Sequence, residues 1–348
     1  MTRFVAANRR AFVQAASTAL WAWCSGCATT GDSSSILWDR RDSAPRRRLE
    51  PMNGMTLHGA GQAPEEFRRY YDAMADGAKP LIYMAYVPLR GDIAGCFDRL
   101  RTQIDAYETY LVPQIGLSMT VDGEPRQHFE HEVAAGRHDD RIDAYCQGLK
   151  SLRRPAFLRI GFEFNGRWNG YEPAPYRAAF RRIAAALRRH ELAEVATVWC
   201  HSPDGSEDLA PFYPGDEAVD WWSIDLFAAQ HIGARRAESF LTDAARRGFP
   251  VMIGESAPRG LGVRGGAATW DAWFAPLLDL VKRHQQIKAL CYISRDWAAF
   301  PQWRSWGNSQ ITADATILDH WRDRLGAAGF AHASSAPKVR AALGLDGG

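Results

Sequence analysis

Between residues 55 and 325 the chain carries eight short apolar runs, seven of them followed by an amphipathic stretch. The runs over 55–58, 81–87, 111–119, 157–163, 195–201, 219–227, 250–256 and 287–294 have the length and apolar character of buried strands. Helical spacing follows over 64–75, 92–107, 140–152, 173–190, 234–247, 269–285 and 313–325, with Pro64 and Pro173 suited to first turns. Such an alternation in about 270 residues predicts an α/β protein, a (β/α)8 TIM barrel, which typically takes roughly 250. A doubly wound open sheet is the fold alternative, but no glycine-rich phosphate loop follows the first strand, as nucleotide-binding versions require. The expected layout is an export segment over 1–30, a flexible tether over 31–50, one barrel domain over 51–330, and a peripheral tail over 331–348.

The first thirty residues read as a secretory signal: three arginines and no acid over 2–10, an uncharged run over 11–23, then small residues. Arg9-Arg10 resembles the twin-arginine export motif, and Ser25-Gly26-Cys27 a lipoprotein cleavage box in which Cys27 would carry the lipid and attach the protein to a membrane. The expected location is therefore periplasmic, cell-envelope or secreted. Among the other cysteines, Cys96, Cys146, Cys200 and Cys291 are too sparse for a disulfide framework and lack metal-site spacing. Cys200 and Cys291 sit in apolar runs and are expected to be buried as small hydrophobes. No metal or organic cofactor is expected. The 42 Lys and Arg nearly cancel the 40 Asp and Glu, which argues against nucleic acid or another polyanion as partner. A monomer is expected.

Two segments each deliver a lone glutamate at the end of an apolar strand: Phe157-Leu-Arg-Ile-Gly-Phe-Glu163 and Pro250-Val-Met-Ile-Gly-Glu255. A barrel gathers strand-end residues round one mouth, and cleavage of a glycosidic bond needs two carboxyl groups flanking it. A polysaccharide or oligosaccharide substrate is the expectation. Alternation along the fourth strand would aim Arg159, Gly161, Glu163 and Asn165 to one side, with Arg159 suited to stabilise a nucleophilic carboxylate. His201 closes the fifth strand and is expected beside Glu163, and His58 closes the first. Trp168, Tyr171, Trp222 and Trp297 are candidate sugar platforms. Asn169, Asp225 and Asp296 are candidate partners for hydroxyls. Thirteen Trp in all, with a cluster from Trp297 to Trp306 after the eighth strand, favour a carbohydrate cleft, although Trp270 and Trp273 read as core.

The segment Glu163-Phe-Asn165-Gly166-Arg-Trp168 resembles the acid/base segment of glycoside hydrolase family 26. Val198-Trp-Cys-His-Ser-Pro203-Asp204, the stretch from Tyr213 to Asp225 and Pro250-Val-Met-Ile-Gly-Glu255 resemble later segments of that family in its order. The resemblance implies a retaining barrel enzyme with Glu163 as acid/base and Glu255 as nucleophile. Two departures stand out. Mannan-cleaving members place His before the acid/base, where this chain has Phe162, and a Tyr that bonds the nucleophile where it has Phe227. The expectation is a substrate branch other than ordinary mannan, with His201 or Tyr292 supplying the missing hydrogen bond. The rival from another class is a carbohydrate-binding barrel protein without strong activity.

Overall fold

The computed structural model of the protein describes residues 46–121 and 124–345. The expected export segment, its Cys27 and most of the tether lie outside these residues. Eight parallel strands, β1 (Thr56–Gly61), β2 (Ile82–Tyr86), β3 (Val112–Leu117), β4 (Ala156–Ile160), β5 (Val195–His201), β6 (Trp221–Leu226), β7 (Val251–Ser256) and β8 (Ile287–Ile293), pair in sequence order. β8 pairs back onto β1, from Leu57 opposite Ala289 to Gly61 opposite Ile293, so the sheet closes. This is the expected (β/α)8 barrel.

Outer helices α1 (Pro64–Ala73), α2 (Ile93–Asp105), α3 (Asp139–Ser151), α4 (Pro173–Arg189) and α5 (Arg235–Arg246) cover it. Between β7 and β8 the helical cover is Ala267–Thr269, a π turn over Trp270–Phe274, and Ala275–Arg283, and Ala315–Gly326 follows β8. Local chemistry sets the ends. Pro64 and Pro173 occupy first turns, Asp92 accepts the Gly95 N–H at 2.9 Å, and Asp314 accepts that of Ile317 at 3.0 Å. α4 buries Tyr176, Ala179, Phe180, Ile183 and Leu187, a single helical face turned to the barrel. Between β5 and β6 there is only a 3-10 turn, Ala210–Phe212. Phe212 and Tyr213 pack on Phe164 and Trp199 and fill the place a helix would take.

Two segments expected at the periphery are integral. At 46–50, where the tether was expected to be free, Arg47 donates to the carbonyls of Asp216 and Val219, Arg48 to that of Val195, and Leu49 is buried. Past residue 329, Phe330–Ala331 pairs with β1, and the helix Ala336–Ala342 buries Val339 while Arg340 forks onto Glu194. Both segments close the N-terminal end of the barrel. The residues between β3 and α3 form a hairpin of Thr120–Val121 and Glu124–His128 and a short helix, Glu130–Ala134.

Inside the barrel, Phe157 and Trp221 meet edge to face at 5.1 Å, and above them lie polar residues: Gln114, Arg159, Ser223 and Asp225. Gly254 makes that layer feasible. A Cβ there would stand 2.7 Å from Ser223 Oγ, 2.8 Å from Asp225 Oδ1 and 3.1 Å from Arg159 Nε. The glycine leaves the guanidinium room to cross the barrel. Cys200 and Cys291 are fully buried, and Cys96, Cys146, Cys200 and Cys291 are all free thiols.

Candidate active site

At the C-terminal mouth the central group is Glu255, on β7. Strict alternation would turn Glu255 away from the interior, because Gly254 already faces it. The pairing of β6 with β7 shifts here: Ile224 lies opposite Ile253, but Leu226 lies opposite Ser256. The extra residue on β7 is a bulge, and a bulge re-aims the side chains beside it. Glu255 thereby joins Arg159 inside. Its Oε1 accepts from Arg159 Nη1 at 2.7 Å and from the Tyr86 hydroxyl at 2.7 Å. Among the described residues neither of these contacts, nor any other hydrogen bond, falls on Oε2.

Arg159 is fully buried and serves two carboxylates at once, its Nη2 donating to Asp225 Oδ2 and its Nη1 to Glu255. Burial opposes the guanidinium charge, but Asp225, Cys200 and Glu255 outweigh it, so its pKa lies well above the usual value. Asp225 is pushed well up by burial, against the pull of Arg159, with Glu255 and Glu163 adding to the rise. Tyr86 is also pushed well up, first by burial and then by the Glu255 charge. Its phenol is held as a hydrogen-bond donor to Oε1.

Glu163 follows β4, which ends at Ile160. The alternation expected to run on through Asn165 stops there, since Gly161 has φ 55° and Glu163 φ 50°. A left-handed conformation at a non-glycine residue costs about 1–3 kcal/mol and persists only where its surroundings enforce it. Here Asn169 Nδ2 donates to the carbonyls of Phe162 and Glu163, at 2.9 and 3.0 Å, and Asn165 ties the loop to Ser202 and Ser206. Held in this way, Glu163 Oε2 accepts from Trp168 Nε1 at 2.7 Å. Asn165 and Asn169 thus fix the loop, their amide N–H groups committed to backbone carbonyls.

Several residues expected at the mouth point the other way, and strand parity explains them. Cys200 faces inward against Arg159, so His201 faces outward, its ring 4.2 Å from that of Phe240 and its Nδ1 3.3 Å from the Ser223 carbonyl. Burial and the nearby Arg236 lower its pKa to about 3. Cys291 faces inward, so Tyr292 lies among Trp273, Phe274 and Trp321 and donates to the Ser309 carbonyl at 2.7 Å. Neither bonds Glu255. His58 is bonded to Tyr70 and His332 behind β1, and Trp222 packs on Phe240 and Phe249 behind β6. Tyr171 is buried with its hydroxyl accepting the Met119 N–H. Asp296 caps the 3-10 turn Trp297–Ala299 and bridges to Asn308.

Tyr86, which nothing in its sequence surroundings singles out, supplies the phenol expected of another residue. Phe227 turns instead to Trp306, with rings 5.0 Å apart. Trp306 in turn contacts Trp297 and Trp303, each at 5.1 Å, and Trp297 is buried beneath this partly exposed aromatic patch. Phe162 packs over Tyr86 at 5.4 Å and over the Arg159 guanidinium at 5.1 Å. It seals the charged pair from one side.

The profile described as glycosyl hydrolase family 26 matches residues 122–240, a stretch containing Glu163 but not Glu255. A β-1,3-xylanase of Alcaligenes sp. is 27% identical over 244 residues, covering 62% of this chain and 52% of its own length. A second β-1,3-xylanase, TXYA of Vibrio sp., is 27% identical over 311 residues, covering 80% of this chain and 66% of its own. The chain thus spans between about half and two thirds of these relatives. Among solved structures, the mannanase man26 of Bacillus subtilis is 15% identical with a TM-score of 0.52, over 79% of this chain and 86% of that one. The family 26 structure GH26A from Muricauda sp. is 15% identical with a TM-score of 0.56, over 80% and 92%. At that identity the two structures speak for the fold alone. The barrel, the profile match over its middle third and both xylanase relatives agree in making the chain similar to glycoside hydrolase family 26.

Proposed function

We propose that the chain is an endo-acting, retaining glycoside hydrolase that cleaves a β-linked polysaccharide, with β-1,3-xylan its foremost substrate and mannan or an envelope exopolysaccharide behind it. The observation that carries this reading is the asymmetric hold on Glu255: Tyr86 and Arg159 both bond Oε1, which leaves Oε2 to attack an anomeric carbon. In this reading Glu163 protonates the leaving oxygen while Glu255 forms the glycosyl ester. Water, deprotonated by Glu163, then hydrolyses it. Tyr86 and Arg159 stabilise the carboxylate as it is released. The choice of xylan rests on the names of the two curated relatives and on Phe162 and Phe227, which depart from the mannan-cleaving pattern. The partly exposed patch of Trp303 and Trp306 offers ring faces to sugar on the Phe227 side of the cleft.

Reducing-sugar release from β-1,3-xylan, β-1,4-xylan, mannan and mixed glucan, with Glu163→Gln and Glu255→Gln as controls, tests the proposal. Release that both substitutions abolish, with the β-anomer formed first by NMR, supports it. Binding without release, unchanged in either variant, would make the chain a carbohydrate-binding barrel instead. We further infer export to the cell envelope with Cys27 as lipid anchor, from the order of residues 1–30. Palmitate labelling that is lost in Cys27→Ser is the expected result. A monomer is proposed, and light scattering of the purified protein checks it.

A further inference from the structure

We propose that His128, Glu130 and His131, with Glu172, form a site for a divalent metal of the zinc class, which staples the hairpin after β3 to the loop between β4 and α4. His128 Nδ1 lies 2.9 Å from Glu130 Oε2, while His131 Nε2 lies 3.9 Å from Glu130 Oε1 and 3.1 Å from Glu172 Oε1. The ligand atoms of His128, Glu130 and His131 all fall within 4.8 Å of one another. Zinc bound tetrahedrally at about 2.0–2.1 Å holds its ligand atoms about 3.3 Å apart, so small rotations of these side chains suffice.

The feature that asks for a cation is Glu130. Its carboxylate side chain is 0% exposed, and among the described residues its ion-pair partners are His128 and His131, with no Lys or Arg. Among the described residues the one other group bonded to it is the Glu172 N–H, at 2.9 Å. A buried carboxylate is stabilised by a paired charge or a metal, and imidazole is not a permanent cation. Two imidazoles and a carboxylate are a zinc donor set, and they select against magnesium and calcium, which prefer oxygen alone. Access is open on the far side, where His131 and Glu172 are 46% and 61% exposed.

The location gives the metal a structural consequence. His128 ends the hairpin, Glu130 and His131 begin the helix that follows, and Glu172 caps α4 at the end of the loop carrying Glu163 and Trp168. That loop is already linked to β3 where the Met119 N–H donates to Tyr171. A metal would add a second fastening a few residues away. None of the four ligands contacts Glu255 or Arg159, so the site is apart from the carboxylate pair and stands whether or not the chain is a glycosidase.

The test is zinc titration of the full, tag-free protein after chelator treatment, followed by calorimetry and by metal analysis after dialysis, with magnesium and calcium as controls. The expected result is one zinc per chain, a rise in Tm on addition, no displacement by excess magnesium, and weakening by about 100-fold or more in His128→Ala and in His131→Ala. His131 is half exposed, so its substitution leaves the fold intact, and circular dichroism verifies this in both variants. Wild-type protein that retains no zinc, or equal binding in wild type and both folded variants, overturns the proposal.

Discussion

Replacing Tyr86 by Phe removes one hydroxyl and leaves Glu255 bonded to Arg159. A hydrogen bond to a charged acceptor contributes about 1.5–3 kcal/mol, and at 1.36 kcal/mol per decade of rate that is about 10- to 150-fold. The two half-reactions do not share the loss equally. With Glu255 as the proposed nucleophile, its charge is consumed during glycosylation, so the phenol stabilises the free carboxylate at least as much as the transition state. During deglycosylation the charge returns, and Tyr86 stabilises it as it forms. Tyr86→Phe should therefore lower kcat by about 10- to 150-fold on an aryl glycoside whose leaving group makes deglycosylation limiting. On the same substrate kcat/KM should change by about threefold or less. A burst of released phenol equal to the enzyme concentration should precede the slow steady state. Parallel falls in kcat and kcat/KM without a burst, or no change in either, would refute the assignment of Tyr86 as the positioning donor to the nucleophile.

Gly254→Ala inserts a methyl at 2.7–3.1 Å from Ser223, Asp225 and Arg159, and overpacking of this kind costs about 1–3 kcal/mol. A fall in denaturant midpoint together with lost activity is expected; a silent substitution would mean that Arg159 does not need that space. Trp168→Phe deletes the donor 2.7 Å from Glu163 Oε2, and kcat/KM should fall by about tenfold while Tm holds, read by thermal shift and initial rates. Stability should decline in mild acid. Burial, chiefly, lowers the pKa of His201 to about 3 and holds those of His58 and His332 below the ordinary imidazole value. The unfolded chain therefore binds more protons than the folded one as pH falls from about 6.5 toward the folded values. Each such imidazole removes up to about 1.4 kcal/mol per pH unit across that window and nothing above it. Urea midpoints between pH 7 and pH 5 measure the slope, and His201→Gln should flatten it; a flat wild-type profile would sink the argument.

What the sequence revealed and what it hid divide along a physical line. Strand and helix positions were legible because burial imposes a period on residue type: β5 was expected at 195–201 and occupies Val195–His201, and the two glutamates were found because a charge at the end of an apolar run stands out. The direction of a side chain was harder, because it depends on the parity of the whole strand and therefore on which neighbour already faces inward. His201, Trp222, Tyr292 and His58 each follow or precede a small inward residue, Cys200, Ser223, Cys291 and Gly59, and each is carried to the outer layer by one step of alternation. That step is readable from the strands: with Cys200 and Ser223 inward along with Arg159, alternation excludes His201 and Trp222 from the mouth. Glu255 is the converse case. Parity counted from Gly254 sends it out, and only the bulge between β6 and β7 brings it back, a feature of pairing between two chain segments that neither segment encodes alone. The same limit hid Tyr86. As the last residue of an apolar strand it resembles any core tyrosine, and its partner lies 169 positions away. The phenol that bonds Glu255 thus comes from β2, and none is available from Phe227 just past β6. On the β6 side, Phe227 has no hydroxyl to offer, and its ring packs on Trp306 of the aromatic patch with Trp297 and Trp303.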